Sequence, residues 1–149
     1  MKLKKPIVFK KIFSTFDDDR GFLSTLDIKN LYQNLPAQNF NLTYQLISYS
    51  AKKNTFRGMH YQTEPYSQNK LIVLHAGSII DLAVNVNNAK IDNILRVEMS
   101  AGDAILIPAN YAHGFISLTD NVVLQYFMDN EYSQKNYKGL NLKKYLERE

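Results

Sequence analysis

An all-β jelly roll is the fold the sequence predicts, and three features predict it. From Leu42 onward the chain breaks into short apolar runs separated by turn residues, a spacing that suits a sandwich or barrel. A Gly102-Asp103 turn precedes a run ending in Ile107-Pro108, and His113 stands five residues past that proline. The 149 residues, 45% hydrophobic and 12% aromatic, suffice for one domain with a real core and are too few for two large ones. The chain is therefore read as a single domain over 1–149. A roll of this kind has a mouth, and small barrels hold ligands there.

Taken in order, the first forty residues contain an Asp-Asp-Asp-Arg-Gly turn ending at Gly21. Residues 28–35 follow, with apolar spacing that predicts a short helix stopped by Pro36. Strands of about five to eight residues are predicted over 42–49, 70–75, 78–86, 94–99, 104–107, 113–117 and 122–128. The segment 57–62 reads as a further, half-buried strand. Turn chemistry separates the strands at Ala76-Gly77-Ser78, Asn87-Asn88, Ala101-Gly102-Asp103, Pro108-Ala109-Asn110 and Thr119-Asp120-Asn121. The charged tail, 140–149, is expected to add one or two helical turns.

Composition narrows the chemistry. There are no cysteines, which removes disulfides, zinc knuckles and thiol catalysis and suits the reducing cytoplasm. No apolar run is long enough for a membrane span or a leader peptide, so a soluble, unprocessed protein without a membrane partner is expected. Lys and Arg exceed Asp and Glu by 18 to 14, but the lysines are scattered, as on a solvated surface rather than a nucleic-acid stripe. Catalysis is left to His, Lys, Tyr and carboxylates.

Several polar residues interrupt the apolar pattern. By strand alternation His60 shares a face with Gly58 and Gln62, and Arg57 with Met59 and Tyr61. Gly58 beside His60, and Gly114 beside His113, read as room for a ligand. Lys70 falls on the face of Ile72 and Leu74, and Asp81 on that of Ile79 and Ala83. An unpaired charge in such company costs several kcal/mol, so the two either pair with each other or line a polar cavity. Tyr126 lies with Val122, Leu124 and Met128, where a tyrosine is ordinarily core. His75 faces away from Lys70 and reads as a strand-end residue. One chemistry unites the set. A neutral imidazole removes a proton from carbon beside a ketone, a cation holds the enolate oxygen, and a phenol returns a proton to the opposite face. His60, Lys70 and Tyr126 can fill those roles.

These residues resemble a known family. Arg-Gly-Met-His-Tyr-Gln over 57–62, Asn69-Lys70-Leu71, Ile80-Asp81-Leu82-Ala83-Val84, Ile107-Pro108 with Ala112-His113-Gly114-Phe115, and Tyr126 six residues before Tyr132 resemble the dTDP-4-dehydrorhamnose 3,5-epimerases. Asp19-Arg20-Gly21-Phe22 is similar to an early turn of that family, and order and spacing agree over roughly residues 15 to 140. The resemblance implies a cupin-type jelly roll, a homodimer, and a reaction without metal or cofactor on a nucleotide-diphosphate sugar of the 4-keto-6-deoxy kind. Such a reaction belongs to deoxysugar and cell-surface polysaccharide biosynthesis. His60 would be the base, Lys70 the enolate holder and Tyr126 the acid. Arg57, Arg20 and Gln45 would meet the nucleotide or its diphosphate, His113 and Asp81 the sugar, with Gln62 and Tyr132 also on the substrate.

The chain also departs from that family. Its members pair the base His with an Asp from a C-terminal extension, and this sequence, ending at Glu149, shows no counterpart. Asp81 or a group from a partner chain would have to orient His60 instead. Asn87 to Asp92 replaces an Arg and Ser-Pro-Thr-Phe loop, Gly102-Asp103-Ala104 replaces a basic pair, Ile47 replaces an Asn, and Thr25 replaces a Glu. The expected activity is epimerisation at C3, C5 or both. The alternative is a sugar-nucleotide-binding cupin whose epimerase chemistry is lost or changed. A metal cupin built on His60 and His113 is disfavoured, since Gln62 stands where its second histidine would be.

Overall fold

In the computed structural model, residues 3–27, 29, 31, 33 and 40–142 are described. Twelve strands make up nearly all of the regular structure among the described residues: β1 (Ile7–Phe9), β2 (Phe13–Asp18), β3 (Gly21–Leu26), β4 (Tyr44–Ser50), β5 (Phe56–Gln62), β6 (Lys70–Ala76), β7 (Ser78–Asn85), β8 (Leu95–Ser100), β9 (Ala104–Ile107), β10 (Tyr111–Ser117), β11 (Val122–Met128) and β12 (Tyr137–Gly139). They form two five-stranded sheets, ordered β1-β9-β6-β11-β4 and β12-β5-β10-β7-β8, and the separate hairpin β2-β3. The sheets are open, so the protein is an all-β sandwich rather than a closed barrel.

Alternation decides what lies between the sheets. Ile72 and Leu74 from β6, Ile105 and Ile107 from β9, and Val122 and Leu124 from β11 meet Ile79 and Ala83 from β7, Met99 from β8 and Phe115 from β10 in one buried cluster. The residues between them in sequence point the other way: Leu71, Val73, Ala104 and Leu106 pack under the N-terminal segment with Leu31 and Phe40. Sheets covered on both faces need strands that are apolar on both, which is why β6 reads as a continuous apolar run rather than an alternating one.

Two expectations, the helical tail and the turn near Gly21, need correction. Of the helix expected over 28–35, the described residues Lys29, Leu31 and Gln33 are helical, with the Leu31 amide donating to the Asp27 carbonyl at 3.0 Å, and the others lie outside the described residues, as do 143–149; Leu140 to Leu142, where a helical tail was expected to begin, are non-helical and follow directly on β12. Beyond Lys29, Leu31 and Gln33, the helical structure among the described residues is two short 3-10 turns, Val86–Asn88 and Ile91–Asn93. The turn near Gly21 belongs to a hairpin, with Asp18 paired to Gly21 and Phe13 to Leu26, whose strands went unpredicted because both faces are largely exposed and leave no burial pattern. No helix among the described residues is long and apolar enough to cross a membrane.

Candidate active site

A cleft of about 380 Å³ opens between the sheets. Lys70, Tyr126 and Met128 approach it from one sheet, with Tyr44, Leu46 and Ser48 of the adjoining edge strand, while Arg57, His60, Gln62 and His113 approach from the other. Tyr132 and Tyr137 stand at it as well.

A bulge arranges the second group. Along β10, His113 pairs with His60 but Phe115 pairs with Arg57, so one residue of β10 faces two of β5. Simple alternation put Arg57 and His60 on opposite faces; the extra residue returns both to the cleft. Glycines make the bulge possible, and this corrects their reading as ligand space. A Cβ on Gly58, whose φ is +123°, would lie 2.5 Å from Gly114 Cα and 2.8 Å from the His113 carbonyl oxygen. A Cβ on Gly114 would lie 2.7 Å from the Arg57 carbonyl oxygen. The room these glycines leave is filled by each other's backbone.

Lys70 and Asp81 do not pair with each other. Lys70, buried at the start of β6, donates from Nζ to the His60 main-chain carbonyl at 3.2 Å. Burial lowers its pKa to about 8, against the opposing pull of the Asp81 charge. Asp81 instead meets His113: Nε2 and Oδ2 are 2.6 Å apart with both side chains buried. The second oxygen, Oδ1, has no partner among the described residues. Burial raises the Asp81 pKa, and the charge and hydrogen bond of His113 oppose that rise. With Oδ2 committed to His113, Asp81 does not orient His60, contrary to the substitution considered from sequence.

His60 is half-buried, and its pKa is lowered, first by burial and then by the positive charges of Lys70 and His113. A neutral imidazole, the form that accepts protons, is therefore its state at neutral pH. Tyr126 lies edge-on to the His113 ring, with centroids 5.8 Å apart. Burial, reinforced by the Asp81 charge, raises its pKa, so the phenol keeps its proton. A neutral base, a cation and a protonated phenol thus share one cleft, the set needed to form, hold and reprotonate an enolate.

The other sequence candidates divide. Arg57 sits at the rim, donating from Nε to Ser50 Oγ and from Nη2 to the Tyr49 carbonyl, each at 3.0 Å. Tyr132 stacks on Tyr44, with centroids 6.1 Å apart. Gln62 reaches the cleft wall, but its amide is spent on the main chain: Nε2 donates to the Tyr66 and Glu131 carbonyls at 2.6 and 2.9 Å, and Oε1 accepts from the Ser133 amide at 2.8 Å. It braces the segment carrying Tyr132. Gln45 points to the opposite face of β4 and receives Gln125 Nε2 at 3.4 Å, since alternation sends Tyr44, Leu46 and Ser48 inward instead. Arg20 stays at the hairpin tip, ion-paired with Asp18, outside this chain's cleft. Tyr44 and Tyr137 were missed. The face shared with Leu46 was the signal available for Tyr44, whereas Tyr137 comes to the cleft only through the register of β12 on β5.

The family model for dTDP-4-dehydrorhamnose 3,5-epimerase matches residues 2–145. The chain belongs to the dTDP-4-dehydrorhamnose 3,5-epimerase family. It is 32% identical over 129 residues to the dTDP-4-dehydrorhamnose 3,5-epimerase of Sinorhizobium fredii, a match spanning 84% of this chain and 66% of that one. To the Shigella flexneri epimerase it is 30% identical over 129 residues, spanning 84% and 71%. The crystal structure of the Bacillus anthracis epimerase with TDP and PPi bound superposes with a TM-score of 0.73 at 29% identity, covering 91% of this chain and 78% of that one. The chain thus spans about two thirds to three quarters of the length of these family members.

Proposed function

We propose that this single-domain chain, a cupin-type jelly roll acting in the cytoplasm, epimerises a nucleotide-diphosphate-linked 4-keto-6-deoxyhexose in deoxysugar biosynthesis. The observation that carries the reading is the convergence of His60, Lys70 and Tyr126 on one cleft in complementary protonation states. An imidazole nitrogen of His60 takes the proton from the carbon beside the C4 ketone, and the C–H electron pair moves into the enolate. The Lys70 ammonium holds the enolate oxygen. Tyr126 then delivers its O–H proton to the same carbon from the other face, which inverts the centre. Solvent removes the proton from His60 and restores that of Tyr126, so no cofactor is consumed. Arg57 at the rim suits a diphosphate, Tyr132 the nucleotide end, and the His113–Asp81 pair the sugar hydroxyls. The TDP and PPi held by the Bacillus anthracis relative support a nucleoside diphosphate as the anchoring group.

Deuterium wash-in tests this reading. A dTDP-linked 4-keto-6-deoxyhexose incubated with the protein in heavy water should gain deuterium at C3, C5 or both, and the labelled position reports which centre is inverted. Because Lys70 must be charged, kcat/KM should fall as pH rises through about 8, where the buried amine loses its proton. Absence of exchange with dTDP- and GDP-linked substrates would end the proposal, and calorimetric binding without exchange would point to a sugar-nucleotide-binding protein.

The same reading includes a homodimer. Edge strand β4 exposes Ile47 and Tyr49, while the β2-β3 hairpin exposes Phe16, Phe22 and Leu23. Unpaired strand edges and apolar surface of this kind call for a partner. A two-fold pair in which each hairpin lies along the other chain's β4 would cover both and carry Arg20 toward the partner's cleft. Sedimentation equilibrium should give twice the chain mass at micromolar concentration; a strict monomer would overturn the dimer.

A further inference from the structure

Tyr137 has no part in the chemistry above, yet it is the side chain most intimately placed on the base. Strand β12 pairs with β5 so that Tyr137 lies opposite Gln62, Lys138 opposite Tyr61 and Gly139 opposite His60. A glycine directly across from His60 puts no side chain over the imidazole, and even an added Cβ there would be 3.9 Å from His60 Cδ2. In an antiparallel pair the diagonal neighbour, two residues along, lies within reach of an aromatic side chain. Tyr137 uses that reach: its ring stacks on the imidazole with centroids 4.9 Å apart and planes 29° from parallel. The ring is backed in turn by Tyr132 at 5.8 Å, and Tyr132 by Tyr44.

Among the described residues, no side chain hydrogen-bonds a ring nitrogen of His60. Among the described side chains, then, nothing polar sets the plane of an imidazole with two rotatable torsions. We propose that Tyr137 is the positioning residue of His60, its ring laid across the gap at Gly139 to fix the plane of the imidazole that takes the proton. The proposal rests on His60 acting as the base, but the placement of the ring does not. A stacked aromatic differs in kind from an orienting carboxylate. It fixes the plane and brings no ionised group to the ring, while burial and the charges of Lys70 and His113 hold the pKa of His60 down.

Proton NMR of the three histidines, His60, His75 and His113, tests the placement without any need for turnover. His60 ring protons should carry an upfield ring-current shift in the native protein and in Tyr137→Phe. The shift should vanish in Tyr137→Leu and Tyr137→Ala, while the His75 and His113 ring signals stay in place. Should Tyr137→Ala disturb all three histidines, the Phe and Leu variants decide the matter. His60 signals unchanged on removal of the aromatic ring would overturn the proposal, and so would a Phe variant that behaves like Leu. In the wash-in assay, Tyr137→Ala should lower kcat by about ten- to a hundred-fold with little change in KM. If the native protein shows no exchange, the assigned function fails while the NMR result still judges the stack.

Discussion

His60→Gln should reduce deuterium exchange into a 4-keto sugar nucleotide by about 10²–10⁴-fold, the usual contribution of a positioned general base. That loss corresponds to roughly 3–5 kcal/mol of transition-state stabilisation. The geometry makes the substitution a clean one. Lys70 is anchored to the main-chain carbonyl of residue 60, not to its imidazole, so the cation stays in place when the side chain changes. Tyr126 sits against His113 rather than His60, and its proton donor is likewise left alone. Calorimetric affinity for the nucleotide sugar should therefore change little while exchange collapses. Exchange at the native rate in this variant would remove His60 from the reaction and transfer the base to another group in the cleft.

Gly58→Ala should destabilise the protein by about 2–6 kcal/mol, the sum of overpacking and of backbone strain at positive φ. The new Cβ would meet the Gly114 Cα and the His113 carbonyl oxygen at 2.5 and 2.8 Å, both backbone atoms of a central strand that cannot swing aside. Against the total stability usual for a domain this is a large fraction. The midpoint of urea unfolding should fall with its slope unchanged, and an unaltered midpoint would show that the two strands are less closely apposed than the structure has them. Because the bulge is what sets Arg57 and His60 on one face, the surviving folded fraction should also exchange deuterium more slowly.

How far these features were legible follows from which forces shaped each segment. Strands β6 and β9 are largely buried on both faces and β11 on one, so their apolar residues marked them in the sequence and their ends were found within a residue or so. Two of the site candidates, Lys70 and Asp81, stood out because they interrupt apolar strands, and a buried charge is rarely accidental. The hairpin β2-β3 left no such trace, since its side chains are exposed on both faces. Arg57 was assigned to the wrong face because a bulge spends one residue without changing composition, and period-two counting cannot register it. Tyr137 was invisible for a related reason: it reaches His60 along a diagonal between two strands far apart in sequence, a relation fixed by register alone. Asp81 serving His113 rather than His60 was likewise a question of distance, which spacing along a chain does not hold.

The bracing by Gln62 bears on how such a cleft can diversify. One amide on the strand that carries the base grips the Tyr66 and Glu131 carbonyls and the Ser133 amide, and Gln68 adds a second hold on the same segment through the Asn130 and Glu131 carbonyls. The loop bearing Tyr132 is thereby registered from beneath, through main-chain atoms that every amino acid possesses. Its outward side chains are free to vary without loosening the floor. An engineer wishing to reshape the entrance of the cleft can rewrite Tyr132 on a fixed frame, while the two glutamines remain the hardware that keeps the entrance and the strand bearing His60 in register.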